Sequence, residues 1–78
     1  MIHLEKVAQG DILLHDLGLH TRTFYALYRS GHRTARDILA HKNKSELMEI
    51  YSFGEKSYEA VIRVLEEKGH DVEHLKED

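Results

Sequence analysis

The chain has 78 residues, of which 41% are apolar and 32% charged, and a formal net charge of −3. That length builds one domain at most, and the mixture is that of a folded globule rather than a disordered tail. The absence of cysteine excludes disulfides, thiolate metal sites and a cysteine nucleophile. No apolar run approaches the roughly 18 residues of a membrane span, and the first residues lack a basic-then-apolar signal, so a cytoplasmic protein without membrane contact is expected. Proline is absent as well, which favours uninterrupted helices.

In sequence order, residues 1–11 read as an N-terminal extension, 12–70 as a helical domain and 71–78 as an acidic polar tail. Ile12, Leu13, Leu14, Leu17 and Leu19 form an apolar strap that Val7 extends. Gly10 and Gly18 argue against one continuous helix there. A first helix is predicted over Thr21–Ser30, with Phe24, Leu27 and Tyr28 as its i, i+3, i+4 core stripe. His20 stands at its N-cap, Leu19 and Phe24 are placed as a hydrophobic staple, and Gly31 stops it. A second helix starts at Thr34, with Asp37 as its capping-box partner, turns Ile38 and Leu39 inward and ends near His41. A third starts at Asn43 with Glu46 at the same offset, and Leu47 and Ile50 line its inner face. In the fourth, Ser52 and Glu55 form a further capping pair, and Tyr58, Val61, Ile62 and Leu65 fall at i, i+3, i+4, i+7. Lys68 and Gly69 end it, and the residues beyond are expected to fray. The fold class is therefore all-α, a compact bundle of four to five short helices.

Charge is unevenly spread. Residues 20–44 carry Arg22, Arg29, Arg33, Arg36, Lys42 and Lys44 against Asp37 alone, a local +5. Residues 64–78 carry six acids against Lys68 and Lys76, a local −4. Because the protein is not basic overall, any nucleic-acid contact should be local, weak and salt-sensitive.

Two glycine turns stand out, Gly31-His32-Arg33-Thr34 and Ser52-Phe53-Gly54-Glu55-Lys56-Ser57. The second opens the longest helix, and helix starts present unpaired amide N–H groups and partial positive charge, which suit phosphate. Lys56 and Ser57 add a cation and a hydroxyl. A plainer reading has Gly54 permitting a close helix–helix contact and Lys56 simply solvated. Arg22 and Arg29 share the outward face of the first helix with Tyr25 and Ala26. An arginine there can reach a DNA groove and the tyrosine can stack or donate, or these are ordinary surface residues opposite the core stripe.

Among the seven histidines, His70 and His74 have i, i+4 spacing, but no third ligand is marked. No metal or other cofactor is expected. The histidines do predict that net charge rises on mild acidification. No nucleophile elbow or zinc-protease spacing occurs, so the sequence does not read as that of an enzyme.

Taken together, Asp16-Leu17-Gly18-Leu19-His20-Thr21-Arg22, Leu27, Gly31-His32-Arg33-Thr34, Asp37-Ile38-Leu39, Leu47, Ile50, Phe53-Gly54-Glu55-Lys56-Ser57 and Leu65 with Gly69 resemble the C-terminal domain of the bacterial RNA polymerase alpha subunit. The resemblance runs over about residues 12–72. It implies a compact helical fold with helix-hairpin-helix-like turns that binds the DNA minor groove upstream of promoters and docks against transcription activators. It also implies that Arg22 enters the groove while Gly54, Lys56 and Ser57 hold the backbone nearby.

The sequence departs from the family at four places. Tyr25 stands where the family has a DNA-contacting asparagine, with Ala26 beside it. Ala60 stands where the family has a glutamate, and Glu55 where it often has a basic residue. A carboxylate at that place competes with phosphate for the helix dipole. The family's large assembly domain and linker are absent from this sequence, so a free-standing relative is expected.

Two functions follow. One is a small transcription-associated module making weak DNA contact through Arg22, Tyr25, Gly54, Lys56 and Ser57. The alternative is a protein–protein interaction domain that has lost DNA binding and docks on RNA polymerase subunits, a sigma factor or an activator. A structure-specific DNA repair accessory is a third reading, but it requires a second strong hairpin, and the Gly31 turn lacks the usual glycine pair.

Overall fold

The computed structural model describes residues 12–78. The expectations for Val7, Gly10 and the 1–11 extension lie outside the described residues. Four short helices follow one another: α1 (Thr21–Arg29), α2 (Ala35–Leu39), α3 (Lys44–Met48) and α4 (Glu55–Glu67), with 3-10 turns at Leu14–Leu17 and Glu73–Lys76. Among the described residues there is no β-strand, only an isolated antiparallel bridge between Leu13 and Thr34, and no helix is long and apolar enough to cross a membrane. The all-α class expected from the sequence is the class observed.

The bridge explains how the apolar strap is held. Leu14 donates its amide to Arg33 O (2.8 Å) and Ala35 donates to Ile12 O (2.7 Å), tying the strap to the start of α2. Leu14 and Leu17 are buried, but Leu13 is exposed. Adjacent side chains of an extended segment point to opposite sides, so Leu13 and Leu14 cannot both face the core.

In α1, His20 caps the helix, its Nδ1 accepting from the Arg22 amide at 3.3 Å. The inward stripe is displaced by one residue from the expected one. Thr23, Ala26 and Leu27 are buried, whereas Tyr28 is exposed and Phe24 only half-buried. Ala26 is thus not on the outward face. The two aromatics pack on each other at the flank (5.6 Å between centroids), and the Arg33 guanidinium lies 3.8 Å from the Tyr28 ring centre. The same guanidinium donates to Tyr28 O and His32 O at the C-terminal end of α1. The helix ends in a Schellman turn. Gly31 adopts φ +95°, its amide bonds Tyr28 O, and the His32 amide reaches back to Leu27 O.

The capping box of α2 forms as expected. Thr34 Oγ1 accepts from the Asp37 amide and the Asp37 carboxylate accepts from the Thr34 amide (3.2 Å). Asp37 also accepts from the Arg33 amide at 2.8 Å, and this bond is the main reason its carboxyl is held below the usual carboxylate range. Thr34→Ala is expected to cost about 1 kcal/mol by loss of the cap, measured as a lowered urea midpoint with an unchanged m-value. In α3, Asn43 caps through Oδ1, but the Glu46 carboxylate bonds the Lys42 amide (2.9 Å) and His41 Nδ1 (3.1 Å) instead of closing a box with Asn43.

Two expectations near α4 are corrected. Its N-cap is Gly54, not Ser52, and the cap carries no side-chain hydrogen bond. Phe53 is buried as an anchor, and its amide bonds Ile50 O (3.1 Å), closing a tight turn with Tyr51 and Ser52 at its centre. Ser52 takes φ +65° there, so it cannot be the extended residue that a cap requires. The core stripe Tyr58, Val61, Ile62 and Leu65 is buried as predicted.

The second correction concerns the residues after Gly69, expected to fray. Val72 and Leu75 are fully buried, and the Tyr58 hydroxyl donates to Leu75 O at 2.8 Å. The Lys44 amide donates to Glu77 O at 2.7 Å, and His74 Nε2 donates to Leu39 O at 2.9 Å. A polar composition concealed two apolar residues three apart, which the 3-10 turn brings onto the core together. His70 lies before that turn, so the two histidines do not share a helix face. Among the described residues no three histidine or carboxylate side chains cluster as metal ligands do.

Candidate nucleic-acid interface

The start of α1 and the start of α4 are joined by one buried bond. Thr23 Oγ1 donates to Ser57 Oγ at 2.9 Å, and both side chains are buried. Both residues are small, and their meeting sets the register of one helix against the other. Arg22 and Lys56, each one position earlier and each exposed, are thereby carried to the same side of the molecule. Arg22 lines three surface depressions. One is formed with Ile50 and the loop and helix start 52–57, one with Tyr25, Ala26, Arg29, Ser30, Tyr51 and Ser52, and one with His20, Thr23, Lys56, Ser57 and Ala60.

The first amides of α4 have no partner within the helix; the Tyr58 amide is the first to find one, on Gly54 O at 2.9 Å. Since Gly54 offers them no capping group, the Glu55, Lys56 and Ser57 amides leave a partial positive charge at this end. A Cβ built on Gly54 meets nothing within 4 Å. Glycine there is therefore not needed for a close helix–helix contact, and the space above it stays open to an approaching ligand.

The local charges favour an anion. Among the described residues Arg22, Arg29 and Lys56 enter no ion pair, and Glu55 pairs with Lys44 at 3.2 Å. Lys44 also lies over the Tyr58 ring, 4.7 Å from its centre. The Glu55 hydrogen bond holds the Lys44 ammonium above its ordinary pKa. The Glu55 carboxylate, expected to compete with phosphate at the helix start, is thus paired with Lys44. An exposed arginine, an exposed lysine and an uncapped helix start share one face, the combination that suits a phosphate-sized anion.

Of the residues singled out from sequence, Arg22, Gly54 and Lys56 lie together on this face, and Tyr25 is half-exposed on the adjoining depression. Ser57 differs. Its hydroxyl accepts from Thr23 inside the seam, so it orients the two cations rather than standing free on the surface. Sequence reasoning passes over Thr23, which looks like one more polar residue in a helix. It also passes over Tyr51, which reaches the site only because the Ile50–Phe53 turn delivers it.

The family model for the C-terminal domain of the bacterial RNA polymerase alpha subunit matches residues 4–67. Three curated relatives are named DNA-directed RNA polymerase subunit alpha. That of Desulforudis audaxviator is 34% identical over 80 residues, covering 99% of this chain and 25% of the relative. That of Mesostigma viride is 41% identical over 59 residues, 76% of this chain and 18% of the relative. That of Thermus thermophilus is 37% identical over 65 residues, 83% and 20%. The 78 residues thus span a quarter or less of the length of these relatives. No solved structure gives a significant match. With the family model covering most of the sequence and one relative aligned nearly end to end with it, this protein belongs to the family of the C-terminal domain of the bacterial RNA polymerase alpha subunit.

Proposed function

We propose that this domain is a non-catalytic binding module of transcription that grips the sugar–phosphate backbone of A/T-rich DNA at the minor groove. Arg22 reaches into the groove, and Lys56 with the amides of 55–57 holds a neighbouring phosphate. The observation that supports this most is the Thr23–Ser57 bond, because it brings two cations without ion pairs and an uncapped helix start to one face. Such a grip is electrostatic, so affinity falls with salt, with a slope of about 0.9 per phosphate neutralised.

Fluorescence-anisotropy titration of an A/T-rich duplex at several salt concentrations tests the reading. Lys56→Ala, which removes a phosphate contact, is expected to weaken binding on every sequence and to lower the salt slope by about one. Gly54→Val, whose side chain meets no protein atom at Cβ, should keep the fold and still lose affinity by obstructing the phosphate. Unchanged affinity in both variants removes this face from any DNA site.

A second reading, docking on RNA polymerase subunits, a sigma factor or an activator without DNA, is favoured by Tyr25 at half exposure, by Ala60, and by the acidic last residues. Retention of polymerase subunits from a nuclease-treated bacterial lysate, with no duplex binding at low salt, is the outcome that selects it.

A further inference from the structure

The depression beside the phosphate site has a chemistry that backbone contact leaves unused. Arg22 and Arg29 border it, Tyr25 and Tyr51 supply its rings, and no carboxylate of the described residues lines it. Tyr25 is 50% exposed and Tyr51 84% exposed, the most exposed of the large apolar side chains described. Its neighbour two positions on, Phe53, is buried. The turn closed by the Phe53 amide on Ile50 O holds Ser52 at φ +65° and carries Tyr51 outward. A positive φ at a serine costs free energy, which the burial of Phe53 offsets, and the same turn leaves Tyr51 outside. Tyr25 is steadied from behind by an edge-to-face contact with Phe24, 5.2 Å between centroids.

Exposed rings set among arginines suit a ligand that has both π-faces and negative charge. A closed duplex does not offer its π-faces, because its bases are stacked on each other and its minor groove is only about 6 Å wide. Unpaired nucleotides offer both, and aromatic shelves flanked by cations are how single strands are bound without regard to sequence. We propose that Tyr25 and Tyr51, with Arg29, form a stacking shelf for unpaired bases, so that the domain holds single-stranded or locally opened nucleic acid in continuity with the phosphate site at Arg22 and Lys56. This rests on the backbone-gripping role proposed above and adds unpaired nucleotides to what the neighbouring site can hold. The continuity is physical: Arg22 and Ser52 line both depressions.

The test uses the whole 78-residue protein and two labelled probes of equal length at one low salt concentration, oligo(dT) and an A/T-rich duplex. The wild type is expected to bind oligo(dT) at least as tightly as duplex. Tyr51→Ala should lower oligo(dT) affinity by about five- to a hundredfold, as loss of one base stack does, and leave duplex affinity within about twofold. Tyr51→Phe, which keeps the ring, should restore it. Tyr51 is on the surface, so both variants fold. Tyr25→Ala should act in the same direction as Tyr51→Ala.

If Tyr51→Ala and Tyr25→Ala leave oligo(dT) binding unchanged while Arg22→Ala weakens both probes, the shelf is refuted and the backbone grip stands. If the wild type binds neither probe, the grip fails and the shelf fails with it. If duplex is bound about tenfold or more tightly than oligo(dT), the shelf is refuted whatever the variants do.

Discussion

Leu75→Ala is expected to lower the stability of the domain by about 3 kcal/mol, within the roughly 2–5 kcal/mol range for such truncations. Leu75 is fully buried in the final 3-10 turn, and its carbonyl accepts from the Tyr58 hydroxyl on α4. The substitution keeps that backbone bond and removes only apolar volume, so the loss reports the cavity left behind. A domain of this length holds about 4–12 kcal/mol in total, and the variant is expected to be partly unfolded near physiological temperature. Urea unfolding followed by circular dichroism reads the effect. Glu77→Ala, an exposed neighbour whose backbone carbonyl still accepts from the Lys44 amide, should stay within about 0.5 kcal/mol of wild type. A loss as small as that for Leu75→Ala would mean that the segment after Gly69 is not docked on the core.

The second large effect is expected at the histidine pair that ties the end of α1 to the start of α3. His32 is buried, its Nδ1 lies 3.1 Å from Leu27 O, and its Nε2 lies 2.7 Å from Nε2 of His41. Nδ1 of His41 lies 3.1 Å from the Glu46 carboxylate. Leu27 O and the carboxylate only accept, so both Nδ1 atoms donate. The two Nε2 atoms face each other at hydrogen-bond distance, so His41 is the partner of the buried His32 Nε2. His41→Ala removes the partner of a buried nitrogen and should cost about 1–3 kcal/mol.

Acid attacks the same array. Burial pushes His32 below the ordinary histidine value of 6.5. Its bond to Leu27 and the nearby Asp37 work in the other direction, while His41 and Arg33 reinforce the lowering. As pH falls through 6.5 the unfolded protein takes up a proton that the folded one resists, so the unfolded state binds more protons in that interval. The contribution of His32 to stability is therefore full above about 6.5 and is lost as pH falls below it. His32→Asn, which keeps an N–H to offer Leu27 O but does not titrate, should flatten the decline in melting temperature on mild acidification from neutral pH. A variant whose decline is as steep as that of wild type would show that other groups carry it.

Local signals are legible wherever the sequence solves a problem within a few residues. Thr34 with Asp37, Asn43 as a cap, Gly31 and Gly69 as helix stops, and the stripe of Tyr58, Val61, Ile62 and Leu65 all follow from geometry that repeats in every helix. The errors fall where a distant partner decides. The inward face of α1 lies one residue earlier than the pattern of large apolar side chains indicates, because Thr23 finds Ser57 and the aromatics Phe24 and Tyr28 find each other and Arg33. Ser52 has the composition of a cap, but the burial of Phe53 makes it a turn residue with positive φ.

The candidate site divides the same way. Arg22, Gly54 and Lys56 are visible as a basic helix position and a glycine helix start, because residue type and spacing alone carry those properties. The sequence by itself determined the all-α class, the order of the helices, most of their ends and the uneven charge, since propensity, capping and charge reside in neighbouring residues. Only the tertiary structure decided that Arg22 and Lys56 share one face, that Lys44 pairs with Glu55, that Ser57 belongs to the seam, and that the acidic last residues close the core. Each of those depends on a contact between residues at least 11 positions apart, and the separation leaves no local pattern from which to read it.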